Sequence, residues 1–137
     1  MKRIVLLLLL SVLFFACSSD KKIKRKLHSG NGKWEISLYK RYFWSPSGTN
    51  SQNTYLCENC GVIEFERDGS GVLSVFTQGA DGNFEFTYSN TEDALTLLNH
   101  DGEAVYDITW NLKRTQMTLS QKLKQEGYVN IMICQKK

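Results

Sequence analysis

The stretch Asp81-Gly82-Asn83-Phe84-Glu85-Phe86-Thr87-Tyr88-Ser89 decides the fold class. Phe84, Phe86 and Tyr88 alternate with Glu85, Thr87 and Ser89, and side chains two apart share one face of a strand. The run offers an aromatic face to a core and a polar face to water. Asp81-Gly82 ahead of it signals a hairpin, because the tight turn needs positive φ. Asp68-Gly69 and Asp101-Gly102 repeat that signal between other apolar runs. No Asp-x-Asp-x-Asp spacing accompanies them, so they read as turns and not as calcium loops.

Working outward, short alternating runs broken by turn signals cover the chain from Lys33 to its end, as in a sandwich or barrel. They lie at Lys33–Arg41, Tyr55–Arg67 (with a break expected around Glu58-Asn59), Gly71–Thr77, Asn83–Ser89, Ala94–Leu98, Glu103–Trp110, Thr115–Lys122 and Tyr128–Gln135. In the last, Val129, Ile131 and Ile133 are expected to face the core with Phe84, Phe86 and Tyr88. The lone proline, Pro46, sits in the polar stretch Ser45–Asn53, the longest expected loop. Ser120–Glu126 is the best candidate for a short helix. Eight runs joined by short hairpins predict an all-β domain, a single eight-stranded antiparallel up-and-down barrel that closes on itself to remove its edges. The 137 residues leave room for one domain.

Gly32-Lys33-Trp34 opens the first strand. It resembles the Gly-x-Trp signature at the start of lipocalins, which implies that Trp34 plugs the closed end of the barrel. The chain is shorter than a typical lipocalin and has no room for a helix after the last strand. It looks most like the small lipocalin-like lipoproteins of the Bacteroidetes type.

The N-terminus carries its own instruction. Met1-Lys2-Arg3 precedes Ile4 to Phe15, in which only Ser11 is polar, then Ala16 and Cys17. A basic start, a short apolar run and a small residue before the cut make a secretory signal peptide. The run is too short to cross a bilayer core, which takes about 20 residues. Leu13-Phe14-Phe15-Ala16-Cys17 resembles the lipobox of bacterial lipoproteins, which implies lipid attachment at Cys17. Ser18 to Leu27 follows with five basic residues and Asp20 as its one acid, and reads as a solvated tether that can lie against anionic head groups. The expected organisation is a signal peptide over 1–16, a lipidated flexible tether over 17–29 and a lipocalin-like barrel over 30–137.

Charge separates along the same boundaries. The net formal charge is +3, from 17 basic and 14 acidic residues. Two basic residues lie in the leader and five in the tether, so ten face thirteen acids in the folded part, a net of −3. A mildly acidic domain does not suit nucleic acid.

No catalytic constellation is legible. His28 lies in the tether, His100 in a turn, and no Gly-x-Ser-x-Gly, phosphate loop or His-Glu-x-x-His occurs. Glu64 and Glu66 alternate with Ile63 and Phe65 and so face solvent. The domain is expected not to be an enzyme and to need no cofactor or metal. With Cys17 assigned to lipid, Cys57, Cys60 and Cys134 remain, an odd number in an oxidising compartment. A structural bridge, Cys57 to Cys60 or one of these to Cys134, is expected. A redox pair would sit at a helix N-terminus, and two cysteines do not close a zinc site. Cys57-Glu58-Asn59-Cys60-Gly61-Val62-Ile63 followed by Asp68-Gly69 also resembles part of the copper-resistance and surface-sensing outer-membrane lipoproteins, with a shorter strand and without their second domain.

Tyr39-Lys40-Arg41-Tyr42-Phe43-Trp44 is the densest aromatic stretch. Tyr42, Phe43 and Trp44, beside the long loop, are the expected ligand or partner surface, because aromatic residues and arginine dominate binding surfaces. The expected function is a membrane-anchored lipoprotein with a non-catalytic lipocalin-like binding domain. Its partners would be the membrane, through an N-terminal lipid, and a small apolar ligand or an envelope protein. The alternative is a structural or inhibitory envelope lipoprotein with a filled barrel, similar to lysozyme inhibitors or to the copper- and stress-sensing lipoproteins. The expected location is the bacterial cell envelope, as an outer-membrane lipoprotein facing the periplasm or the cell surface. The bulky strand faces leave space for at most a small pocket near one end.

Overall fold

The computed structural model describes residues 19–43, 53–76, 82–123 and 127–137. Eight strands follow in order: β1 Lys33–Phe43, β2 Asn53–Phe65, β3 Ser70–Val75, β4 Gly82–Asn90, β5 Ala94–Asn99, β6 Gly102–Trp110, β7 Gln116–Leu123 and β8 Tyr128–Lys136. Each pairs antiparallel with the next, and β1 pairs with β8 to close the barrel. All eight expected runs are strands, and the break expected around Glu58-Asn59 is instead a bulge within the continuous β2. Ser120 to Leu123, expected as the start of a short helix, instead ends β7; it pairs with Ile131 to Tyr128 of β8.

The hairpin signals act through side-chain oxygens as well as glycine. The Asp68 carboxylate accepts hydrogen bonds from the Ser70 amide at 2.8 Å and the Ser70 hydroxyl at 2.6 Å, which hold its carboxyl below the usual range. Gly69 beside it has φ of 97°, a conformation a Cβ would strain. In the β5–β6 turn Asn99 Oδ1 accepts from the Asp101 and Gly102 amides. In the β6–β7 turn Asn111 Oδ1 accepts from Thr115 and Gln116.

One end of the barrel is sealed. Residues 19–27 form a helix, α1, where a solvated tether was expected. Ile23 and Leu27, one turn apart, share a helix face and are 5% and 0% exposed in the core cluster. Basic residues crowd the rest of the segment, and they mask this two-residue apolar face in the sequence. The folded part therefore begins no later than residue 19, rather than at 30. The Trp34 Nε1–H donates to the Leu27 carbonyl at 2.7 Å, and Asn90 Nδ2 donates to the Asp20 carbonyl at 3.0 Å. These bonds tie α1 to β1 and β4.

Trp34 is buried at this closed end, against α1. It is 1% exposed and meets Trp110 edge-to-face at 5.7 Å. Gly32 is needed beside it. Its carbonyl accepts from the Phe65 amide at 3.0 Å, and a Cβ there would run into the Phe65 carbonyl. Phe65, Phe86 and Tyr88 form edge-to-face pairs in the same core cluster, which also holds Ile36, Ile63, Leu95, Ile108, Met117 and Leu119.

The inward face of β8 differs from expectation. Met132 and Cys134 belong to the core cluster, whereas Ile131 and Ile133 lie on the outer face, half-buried, and Val129 is buried, 2% exposed, but outside that cluster. Both faces of β8 are apolar, so alternation alone does not choose between them. Pairing does: Cys134 stands opposite Met117 and Ile36, and Met132 opposite Leu119 and Tyr39. Phe84 shares the inner face with Phe86 and Tyr88 but remains 43% exposed near the other end.

Candidate functional site

The strand ends at Phe43, Asn53, Val75, Gly82, Leu123 and Tyr128 gather at the end opposite α1, called the open end because among the described residues no helix covers it. There β1, β8 and β7 carry polar residues on their inner faces. Arg41 stands opposite Asn130, and Asn130 opposite Gln121. The side chains bond across that rung: Arg41 Nε donates to Asn130 Oδ1 at 2.8 Å, and Asn130 Nδ2 donates to Gln121 Oε1 at 3.2 Å. Asn130 is 6% exposed, and its carbonyl and amide are both used, as a buried amide requires.

The next rung outward is aromatic. Phe43 stands opposite Tyr128 and stacks on it at 4.9 Å, and the Arg41 guanidinium lies 5.6 Å from the Tyr128 ring centre. Tyr39 packs one rung inward against the core. Tyr106 faces the same interior from β6. Burial first, then the neighbouring Tyr39, push its phenol above the ordinary value, while Arg41 pulls it down. The open end thus has an aromatic lip above a charged and amide-bearing floor.

Beneath it the core cluster packs the barrel from Trp34 up to Met132. A cavity of about 100 Å³ lies toward the open end, lined by Leu73, Phe84, Phe86, Leu97, Ala104 and Tyr106 among others. Ligand pockets for drug-sized molecules run to roughly 300–1,000 Å³. This cavity has room for a few heavy atoms.

Of the expected partner surface, Phe43 lies on the lip and is 47% exposed. Tyr42, the next residue along the strand, is half-buried on the opposite face with the Lys40 ammonium 5.9 Å above its ring. β1 therefore separates these two residues. Trp44 and Cys17 lie outside the described residues. Arg41, Gln121, Tyr106, Tyr128 and Asn130 were not singled out from sequence, although the polar Asn130 within an apolar strand and the shared parity of Tyr39, Arg41 and Phe43 were the available signals.

Cys57 and Cys60 form a disulfide, one of the two expected pairings. It spans a bulge: between the Ile36–Gly61 and Leu38–Glu58 pairs, β2 has two residues where β1 has one. Asn59 takes up the irregularity with φ of 51°. Both cysteines lie within β2, not at a helix N-terminus. Cys134 is a free thiol, fully buried, and burial pushes it up to about 12, so it is chemically quiet. Among the described residues no group of three or more His, Cys, Asp or Glu is placed to hold a metal ion. His100, in the β5–β6 turn, is exposed and 3.1 Å from Asp101. Glu64 pairs with Lys33 on the outer face at 2.8 Å.

The fold defines a class, the closed eight-stranded antiparallel barrel, consistent with a lipocalin-like one. Comparisons with protein-family models and with curated proteins found no match.

Proposed function

We propose that the chain is a membrane-anchored lipoprotein of the cell envelope, attached through lipid on Cys17, whose barrel binds at its open end without catalysis. The observation that carries this reading is the asymmetry of the two ends. One is sealed by α1 and Trp34; the other presents Phe43 and Tyr128 above the Arg41–Asn130–Gln121 rung. Stacked aromatic rings and a guanidinium form an adaptable recognition surface at low entropic cost. The cavity of about 100 Å³ limits what can enter. The partner is then a protein, or a small ligand that inserts only an apolar end. The leader and the Leu13–Cys17 motif supply the anchor. The packed core cluster among the described residues also favours the second reading, an inhibitory envelope lipoprotein that presents its rim and loops to a protein target.

Two measurements in cells test the proposal. The N-terminal peptide of the mature protein should carry acyl mass on Cys17, lost in Cys17→Ser with release from membranes. A photo-crosslinking residue in place of Phe43 should yield a discrete adduct, whereas one in place of Val105, exposed on the barrel wall, should not. Equal adducts from both positions, or none from 43, would refute binding at the open end.

A further inference from the structure

Because α1 lays Ile23 and Leu27 on the core, Lys22 and Arg25 turn outward, and Lys26, which shares their helix face, lies half-buried with its ammonium 5.1 Å from the Trp110 ring centre. With Arg114 from the β6–β7 turn, they line one depression of about 400 Å³ between the helix and the neighbouring turns. Among its described lining residues only Glu92 is acidic. The cations feel one another: burial first, then Arg114 and Lys22, hold the Lys26 ammonium below its ordinary value. Among the described residues the ion pairs are Lys33–Glu64 and His100–Asp101, so none of the four is neutralised in one.

A second observation lies on the same turn. Leu112 is 104% exposed, next to Lys113 and two residues from Arg114, at the closed end. A free phosphate or an acidic polysaccharide would use the cations and gain nothing from this leucine. A bilayer surface uses both, because apolar side chains enter the headgroup boundary while basic residues meet anionic lipid. The chain also reaches α1 directly from Cys17 and the apolar run Ile4–Phe15, which places this end where a membrane anchor would hold it.

We propose that the closed end is a docking surface for anionic phospholipid headgroups, with Lys22, Arg25, Lys26 and Arg114 meeting the headgroup phosphates and Leu112 entering the interface. The inference extends the membrane-anchored reading but needs no acyl chain. The barrel then stands with its open end pointing away from the bilayer.

The test uses the full chain and vesicles of phosphatidylcholine alone or with about one-third phosphatidylglycerol, comparable to anionic cytoplasmic leaflets in charge. The readout is the ratio of the two partition coefficients, in which insertion of the apolar leader cancels. Each basic residue near an anionic surface contributes about fivefold, so Lys22→Gln/Arg25→Gln/Arg114→Gln should lower the ratio about 100-fold. In wild type, about 1 M salt should bring the ratio close to one, because the Debye length is then about 3 Å. Leu112→Ser, on the surface and harmless to folding, should lower vesicle binding severalfold. Lys40→Gln/Lys122→Gln, toward the other end, should leave the ratio unchanged. The proposal is overturned if the closed-end triple variant keeps the wild-type ratio, or if the open-end pair lowers it equally, which would mean net charge alone. It is also overturned if millimolar inorganic phosphate displaces the protein while Leu112→Ser has no effect, which would mean a free-phosphate site. Should the triple variant unfold, the salt response and Leu112→Ser still decide. Acyl mass at Cys17 and the crosslink from position 43 are independent of every one of these outcomes.

Discussion

Truncating Leu27 tests whether α1 is part of the fold or an appendage. Leu27 is 0% exposed, and its neighbours in the cluster include Trp34 and Trp110. Leu27→Ala removes buried carbons and leaves a cavity at the base of the barrel, for which comparable core sites cost about 2–5 kcal/mol. The backbone carbonyl that accepts from Trp34 Nε1 is retained, so the loss reports side-chain packing alone. With a urea m-value of about 1.5 kcal/mol/M for a small domain, a 3 kcal/mol loss moves the midpoint by about 2 M. Urea unfolding followed by tryptophan fluorescence reads this directly. Leu112→Ala, at a fully exposed leucine, is the control and should stay within about 0.5 kcal/mol. If Leu27→Ala behaves like Leu112→Ala, residues 19–27 do not belong to the core and the sealed-end argument fails.

Three further outcomes are expected. A non-reducing peptide map should find Cys57 linked to Cys60, and opening this four-residue loop should cost about 2 kcal/mol by the chain-entropy relation; a bridge to Cys134 would contradict the structure. Cys134 holds its proton to about 12 when folded against an ordinary 9.0, so its contribution is intact below about pH 9 and falls as pH rises toward 12. The stability gap between wild type and Cys134→Val should accordingly shift against wild type by about 1 kcal/mol between pH 8 and pH 10, and a constant gap would refute that burial effect. Asn130→Leu strands the Arg41 Nε–H and the Gln121 carbonyl inside the barrel and should cost about 1–3 kcal/mol; a neutral outcome in thermal unfolding would show that the rung is not buried as a network.

The barrel was legible because its strands alternate cleanly and its turns carry Asp-Gly or other local signals. Phe84-Glu85-Phe86-Thr87-Tyr88 reads the same way in sequence and in space, as do Ile63 and Phe65 between Glu64 and Glu66. Legibility failed where two physical signals competed. In α1, five basic residues outnumber the buried pair Ile23 and Leu27, and only the open base of a barrel makes that short apolar face worth burying. In β8, two apolar faces left the register to pairing with β1 and β7. The candidate site failed for a related reason. Arg41, Gln121 and Asn130 are ordinary polar residues far apart in sequence, and only the β1–β8–β7 register places them in one rung. Aromatic density pointed to the strand end that carries Phe43, but the pleat puts Tyr42 and Phe43 on opposite faces.

In the proposed reading the two ends of the barrel do different work, one against the bilayer and one toward a partner. Paramagnetic broadening of backbone amide signals tests this most directly, with the full chain on anionic lipid nanodiscs that carry a gadolinium-chelating lipid. The nine residues of β6 join the two ends, and at about 3.3 Å per residue and a tilt near 40° they separate them by roughly 20 Å. Amides of residues 19–27 and 111–115 should broaden strongly, while those of Asn99 to Gly102 and Tyr128 keep most of their intensity. Equal broadening at both ends, or broadening confined to Asn99–Gly102 and Tyr128, would contradict the account.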